Sequence, residues 1–255
     1  MTTQRFAFSL RSLLGAALMV WGSAAQAGET NVAVAANFTG AAKEIAQSFT
    51  AKTGHTVLFS FGSTGQLYTQ ISQDAPFTVL LSADDTTPRK AIDQGLAVAN
   101  SNFAYAYGKL VLWSKSADLI KGENILKSDK FEKLAIADPK LAPYGAAAIE
   151  VLKAMGLAET LDPKIVKGNN IAQTLQFVDS GAAEIGFVAL SQVITKTEGS
   201  RWVVSANLYQ PIQQDAVLLK KGANDPVAQA FLDFLKGPEA RKVIESYGYG
   251  TAAGS

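Results

Sequence analysis

Three kinds of residue in this sequence could do chemistry: a Ser-Thr pair set between glycines, a lone histidine, and asparagines placed before helical patterns. The pair is Gly62-Ser63-Thr64-Gly65. It follows a β-favouring run, Thr56 to Phe61, and precedes a helical pattern carrying Leu67, Tyr68 and Ile71. A strand, a small-residue turn and a helix N-terminus together make the backbone geometry of an anion site, with Ser or Thr able to cap the helix. The Gly-Lys-Ser/Thr ending of a nucleotide P-loop is missing, so no triphosphate is implied. Nucleophilic use of Ser63 or Thr64, as in a secreted hydrolase, would need a base. The single histidine, His55, stands at the far end of the preceding strand. With no cysteine and one histidine, disulfides, thiolate chemistry and most transition-metal sites are excluded, and no metal cation is expected. Asp84 and Asp85, before a helical pattern, read as a solvated cap region and not as a hard-metal site.

The elements that must position the Ser-Thr turn alternate short β runs with helices. Asn31 to Ala35 reads as a strand and Phe38 to Lys52 as a helix stopped at Thr53-Gly54. Phe77 to Leu81 is a continuous apolar run suited to a buried parallel strand, followed by a helix bearing Pro88. Phe103 to Tyr107 and Lys109 to Trp113 are β runs split by Gly108 alone, which suggests a chain crossing to another lobe without turning back. A second α/β set follows: a strand at Leu134 to Asp138, a helix from Tyr144 to Met155, a strand at Lys164 to Lys167, and a helix from Ile171 to Asp179. Strands at Glu184 to Ala189 and Arg201 to Ser205 complete it. Asp215 to Leu219 could return the chain to the first lobe, whose last helices run from Pro226 to Leu235 and on to Tyr247. Repeated β-α-β-α order predicts α/β sheets with helices on both faces.

Three more turns resemble the first in kind. Ala35 to Gly40 holds Asn37, which can cap the helix or aim its amide at a ligand. Asp138 to Gly145 and Lys167 to Ile171 precede the helices of the second set. Placed at the carboxyl ends of two facing sheets, these turns would offer helix N–H groups and partial positive charge to one small anion. The turns at 35–40 and 62–65 hold no Lys or Arg, and Lys140 and Lys167 come before their helices. A neutral site lined by dipoles follows.

At the N-terminus, Arg5 and Arg11, an apolar run from Leu13 to Trp21 and the ending Ala25-Gln26-Ala27 have the layout of a secretory signal peptide, cut after Ala27. Those two arginines are the segment's share of 23 basic residues, so 21 remain against 22 acidic ones. A balance so close to neutral gives no footprint for nucleic acid or an anionic membrane.

Ala35-Ala36-Asn37-Phe38, Phe61-Gly-Ser-Thr-Gly65, Ala75-Pro76 with Leu81-Ser-Ala-Asp84, Pro143-Tyr-Gly145, Gly186-Phe-Val-Ala189 and Leu235-Lys-Gly-Pro238 occur in order over nearly the whole mature chain. Together they resemble the periplasmic molybdate-binding proteins of ABC importers. The resemblance implies a two-lobed type II periplasmic binding protein, each lobe a mostly parallel sheet with helices on both faces and a ligand cleft between them. Residues 28–108 and 209–255 would form lobe 1, and 109–208 lobe 2. It implies no enzyme activity and no cofactor. The ligand would be molybdate or tungstate, and the partners the membrane permease and ATPase of an importer, served by a monomer. The family's ligand positions fall on Ala36 and Asn37, Ser63 and Thr64, and the amides of Tyr144 and Ile171. One branch has Ser at the positions of Asn37 and Thr64 and a Tyr at Ala189, which here should give no side-chain contact. The competing readings are a binding protein for another oxyanion, sulfate or phosphate, and the hydrolase above.

Overall fold

The computed structural model describes Thr2 and residues 27–251. The expected signal peptide thus lies outside the described residues, save for Thr2 and Ala27. Among the described residues, no helix is long and apolar enough to cross a membrane.

The chain first lays down β1 (Glu29–Ala35), α1 (Thr39–Thr53), β2 (Thr56–Gly62), α2 (Thr64–Ser72), β3 (Val79–Leu81), α3 (Thr86–Asp93) and β4 (Phe103–Gly108). It then builds β5 (Leu110–Ser114), β6 (Leu134–Ala137), α4 (Pro143–Ala154), α5 (Ala158–Leu161), β7 (Ile165–Gly168), α6 (Ile171–Asp179), β8 (Ile185–Ala189), α7 (Leu190–Val193) and β9 (Ser200–Val203). It closes with β10 (Ile212–Leu218), α8 (Pro226–Lys236) and α9 (Pro238–Ser246). The strands form two five-stranded sheets, ordered β2-β1-β3-β10-β4 and β7-β6-β8-β5-β9.

Alternation along the strands explains why helices cover both faces. In the first sheet Val32, Val34, Val79 and Leu81 enter one core, while Ala33, Leu80 and Val217 enter another on the opposite side. The second sheet divides Leu110, Leu112 and Phe187 from Val111, Trp113 and Val188 in the same way. Strands buried on both faces are apolar throughout, which is why they read as continuous runs and not as alternating ones.

The sheets are mixed. Helix-connected strands pair in parallel, β1 with β2 and β3, and β6 with β7 and β8. The strands at the crossings run antiparallel: β10 beside β3 and β4, and β5 beside β8 and β9. Strands that travel between sheets have no helical crossover to hold them parallel. Only Lys109 separates β4 from β5, so the chain does pass from one sheet to the other without turning back. Gly108 is needed there because a Cβ would collide with the phenol of Tyr144. The apolar run at 77–81 yields a strand of three residues only, with Thr78 just before it donating its N–H to Asn31 O of β1 at 2.8 Å.

Candidate functional site

Four turns meet between the sheets. Ala36, Asn37, Ser63, Thr64, Tyr144 and Ile171, the six positions named from sequence, line one small pocket together with Ala83, Ala142 and Pro143. Its free volume is about 10 Å³, room for roughly one water-sized sphere, far below the roughly 300 Å³ at which pockets for drug-sized molecules begin. No charged side chain lines it. A wider cleft of about 380 Å³ adjoins it through Thr64, Ala83, Ala142 and Pro143 and carries Asp84, Lys140 and Glu150. Charge is therefore confined to the approach, and Lys167 is exposed on β7.

Each turn leaves one backbone donor over. In α2, Ser63 is the N-cap of a capping box: its Oγ accepts from Gln66 N, and Gln66 Oε1 accepts from Ser63 N. Gly65 N donates across the cleft to Leu141 O at 2.9 Å. What remains is Thr64 N. The Thr64 hydroxyl accepts from Ala83 N at 3.0 Å, so its own proton is free to donate elsewhere. In α4 no side chain caps the helix and Pro143, at its first turn, has no N–H. Gly145 N and Ala146 N both return to Ala142 O, which leaves Tyr144 N. In α6 the Asn170 side chain takes Ala172 N and Gln173 N, each at 3.0 Å, and leaves Ile171 N. Among the described residues, the N–H groups of Asn37, Thr64, Tyr144 and Ile171 meet no acceptor. Such donors around an uncharged pocket favour negative charge.

Asn37 departs from expectation. It does not cap α1, whose N-cap is Phe38 without a side-chain bond. Instead a 3-10 turn, Ala36–Phe38, buries it. Its Nδ2 donates to Gln214 Oε1 at 2.8 Å and to Tyr249 Oη at 3.0 Å. Both amide hydrogens are thereby used, and the main-chain N–H is what Asn37 can still offer.

Behind the pocket lies a polar network that the sequence did not reveal. Gln214, fully buried on β10, accepts from Tyr105 Oη at 3.2 Å and donates to Tyr144 Oη at 3.2 Å. Tyr144 is fully buried, and its phenol reaches between the sheets to that glutamine. Burial, then neighbouring tyrosines, push the hydroxyls of Tyr105 and Tyr144 well above the ordinary phenol range, and burial also raises Tyr249. All three stay neutral donors near neutral pH. Glutamines and tyrosines in strands give no periodic signal, and these partners lie far apart in sequence.

His55 sits elsewhere. Its Nδ1 accepts from Gly28 N at 3.0 Å, and its ring packs near Phe49. The whole of β2 separates it from Ser63, roughly 26 Å at the rise of an extended strand. It cannot serve Ser63 or Thr64 as a base. Ala189 is the N-cap of α7, with its N–H taken by Gln192 Oε1 at 2.9 Å, and is not among the pocket residues. Asp84, read as part of a cap region, does accept from Thr87 N at 2.7 Å at the start of α3.

A family model described as bacterial extracellular solute-binding protein matches residues 30–250. The molybdate-binding protein ModA of Rhodobacter capsulatus is 55% identical over 249 residues, 97% of this chain and 99% of the relative. The protein of the same name from Azotobacter vinelandii is 54% identical, covering 95% and 98%. A solved periplasmic molybdate-binding protein of Azotobacter vinelandii superposes with a TM-score of 0.84 at 40% identity, covering 87% of this chain and all but 1% of its own, at 99%.

Proposed function

The chain belongs to the bacterial extracellular solute-binding proteins, and from that premise we propose that it captures molybdate or tungstate between its lobes and delivers it to an ABC importer. The family is one of transport-associated binding proteins, and homology to periplasmic members supports a periplasmic location. In this reading residues 28–108 and 209–255 form one lobe and 109–208 the other. The N-terminal segment is a signal peptide removed near Ala27, and the partners are the importer's permease and ATPase.

The observation that carries the reading is that the N–H groups of residues 37, 64, 144 and 171, without an acceptor among the described residues, belong to the lining of one small uncharged pocket. The hydroxyls of Ser63 and Thr64 add donors whose acceptor sides are already engaged. Such a pocket is rich in donors and has no cation, so it suits a compact, fully deprotonated oxyanion. Protonated phosphate would bring a hydrogen that a ring of donors cannot accept. Each donor is tied to a packed helix and cannot follow a smaller ion inward. Sulfate would therefore leave several donors stretched beyond the ~2.7–2.9 Å that charge-assisted bonds favour.

Competition titration by calorimetry tests this. Molybdate and tungstate should displace each other on similar terms, with sulfate and phosphate weaker by orders of magnitude. Sulfate displacing molybdate at comparable concentration would overturn the assignment.

A further inference from the structure

Outside the pocket, one short helix touches both halves of the site. Ser191 and Gln192 on α7 each hold the carbonyl of a pocket residue. Gln192 Nε2 donates to Ile171 O at 3.0 Å within the second lobe. Ser191 Oγ donates to Asn37 O at 2.9 Å, and Asn37 belongs to the first. The Tyr249 hydroxyl lies 3.0 Å from Asn37 Nδ2, 2.9 Å from Ser191 Oγ and 2.8 Å from Asn37 O. One phenolic proton serves one acceptor at a time, so the bonds close into a ring. The Asn37 amide donates to Tyr249, Tyr249 to Ser191, and Ser191 to the Asn37 carbonyl. Bonds in such a ring polarise one another.

Tyr249 reaches this place because α9 ends at Ser246 and Gly248 takes φ +80°, a left-handed conformation that suits glycine. A Cβ on Gly248 would stand 2.9 Å from Leu190 Cδ2 and 2.8 Å from Ile194 Cδ1, so the segment lies flat against α7. Two residues on, Gly250 exchanges backbone hydrogen bonds with Tyr107 of β4. A segment anchored on the first sheet is thus pressed against an element of the second.

We propose that Ser191 and Tyr249 are positioning residues that latch the two lobes through Asn37 and set the rate at which bound oxyanion leaves. The inference rests on the pocket being a closing oxyanion site. Opening the lobes separates Ser191 from Asn37, so the ring forms only in the closed state and favours it without touching the ligand. Neither side chain lines the pocket. Capture begins from the open state, where the ring is absent, so its loss falls on release.

The test is stopped-flow binding of molybdate to Tyr249→Phe, Ser191→Ala and the double variant. Phenylalanine keeps the edge-on packing against Phe38, whose ring centre is 5.4 Å away. Release should quicken about three- to tenfold in each single variant, with association unchanged. The double variant should be little faster than either single one, because one broken link opens the ring. A distance across the cleft in ligand-free protein gives a second readout. The chain has no cysteine, so Ser72→Cys and Lys153→Cys, both at exposed positions, can carry unique spin labels. The variants should shift that distance towards the longer, open value. Parental release rates together with an unchanged distance would overturn the latch, as would effects that simply add. A parent that binds no molybdate, with the distances still shifting, would overturn the oxyanion reading and leave the latch standing.

Discussion

The two walls of the pocket reach it by different chemistry. The first-lobe wall brings side chains: the Ser63 hydroxyl inside a capping box, and the Thr64 hydroxyl bonded to Ala83 N. The second-lobe wall brings Tyr144 and Ile171, whose polar side-chain groups are absent or turned away, so only their main-chain N–H groups remain to face the pocket. Both solutions start from the same fact, that the first N–H groups of a helix have no partner within it. They differ in what protects the last one from being satisfied internally. In α2 it is a Ser cap and a bond to the opposite lobe, in α4 a proline at the first turn, and in α6 an Asn that takes the next two donors. A wall built on side chains is sensitive to side-chain substitution. One built on main chain should be blind to it and yield only to proline.

The largest expected effect tests that blindness. Asn170 is extended, with φ −156° and ψ 174°, so proline after it is tolerated, and a helix's first position accepts proline well. Ile171→Pro should keep the fold and lower molybdate affinity on the order of 100-fold, the scale of a lost bond to a charged group. Ile171→Leu should be nearly silent by the same calorimetry. Normal binding by a folded proline variant would remove Ile171 from the site.

On the other wall, Thr64→Val should lower affinity by about 10- to 100-fold. It should also lower stability by about 1–3 kcal/mol, because Ala83 N–H loses its buried acceptor. Thr64→Ser should stay near the parent in both. Equal affinity for the parent and the valine variant would leave the first wall no more side-chain dependent than the second. Ser63→Ala comes next: losing a cap costs about 1 kcal/mol in thermal or urea unfolding, with affinity falling only severalfold.

The smallest effect probes the charged approach beside the first wall. Burial raises the Asp84 carboxyl above its ordinary value, although bonds from Thr87 and Ser82 oppose the shift. A carboxyl raised in the fold binds its proton more tightly there than in the unfolded chain, so its contribution is full in acid and lost as pH rises through the folded value. Asp84→Asn keeps an oxygen for Thr87 N. It should be as stable as the parent or a few tenths of a kcal/mol more so at neutral pH, an advantage that shrinks on acidification. Melting curves at the two pH values decide it; a large loss at neutral pH would mean the charge itself holds α3.

The sequence by itself determined the elements, because these rest on local rules, and through the family resemblance it offered the candidate pocket positions. Small residues after an apolar run mark where a strand ends and a helix begins, and the family resemblance supplied the six positions that line one pocket, five of them inside the ordered motifs and Ile171 in a turn of the same kind. Helices α4 and α6 fall within a residue of the spans their patterns predicted. Tertiary structure decided what those positions could do. The Asn37 side chain was open to either a cap or a ligand until Gln214 and Tyr249, 177 and 212 residues away, claimed both its hydrogens. The antiparallel entry of β10 into the first sheet, the depth of Tyr144 and the reach of Ser191 were equally out of view. Local patterns fix which backbone groups a turn leaves unpaired. Which distant side chains arrive to satisfy them depends on how remote parts of the chain come together, within the first sheet for Asn37 and between the sheets for Tyr144 and Ser191, and no spacing along the chain encodes that.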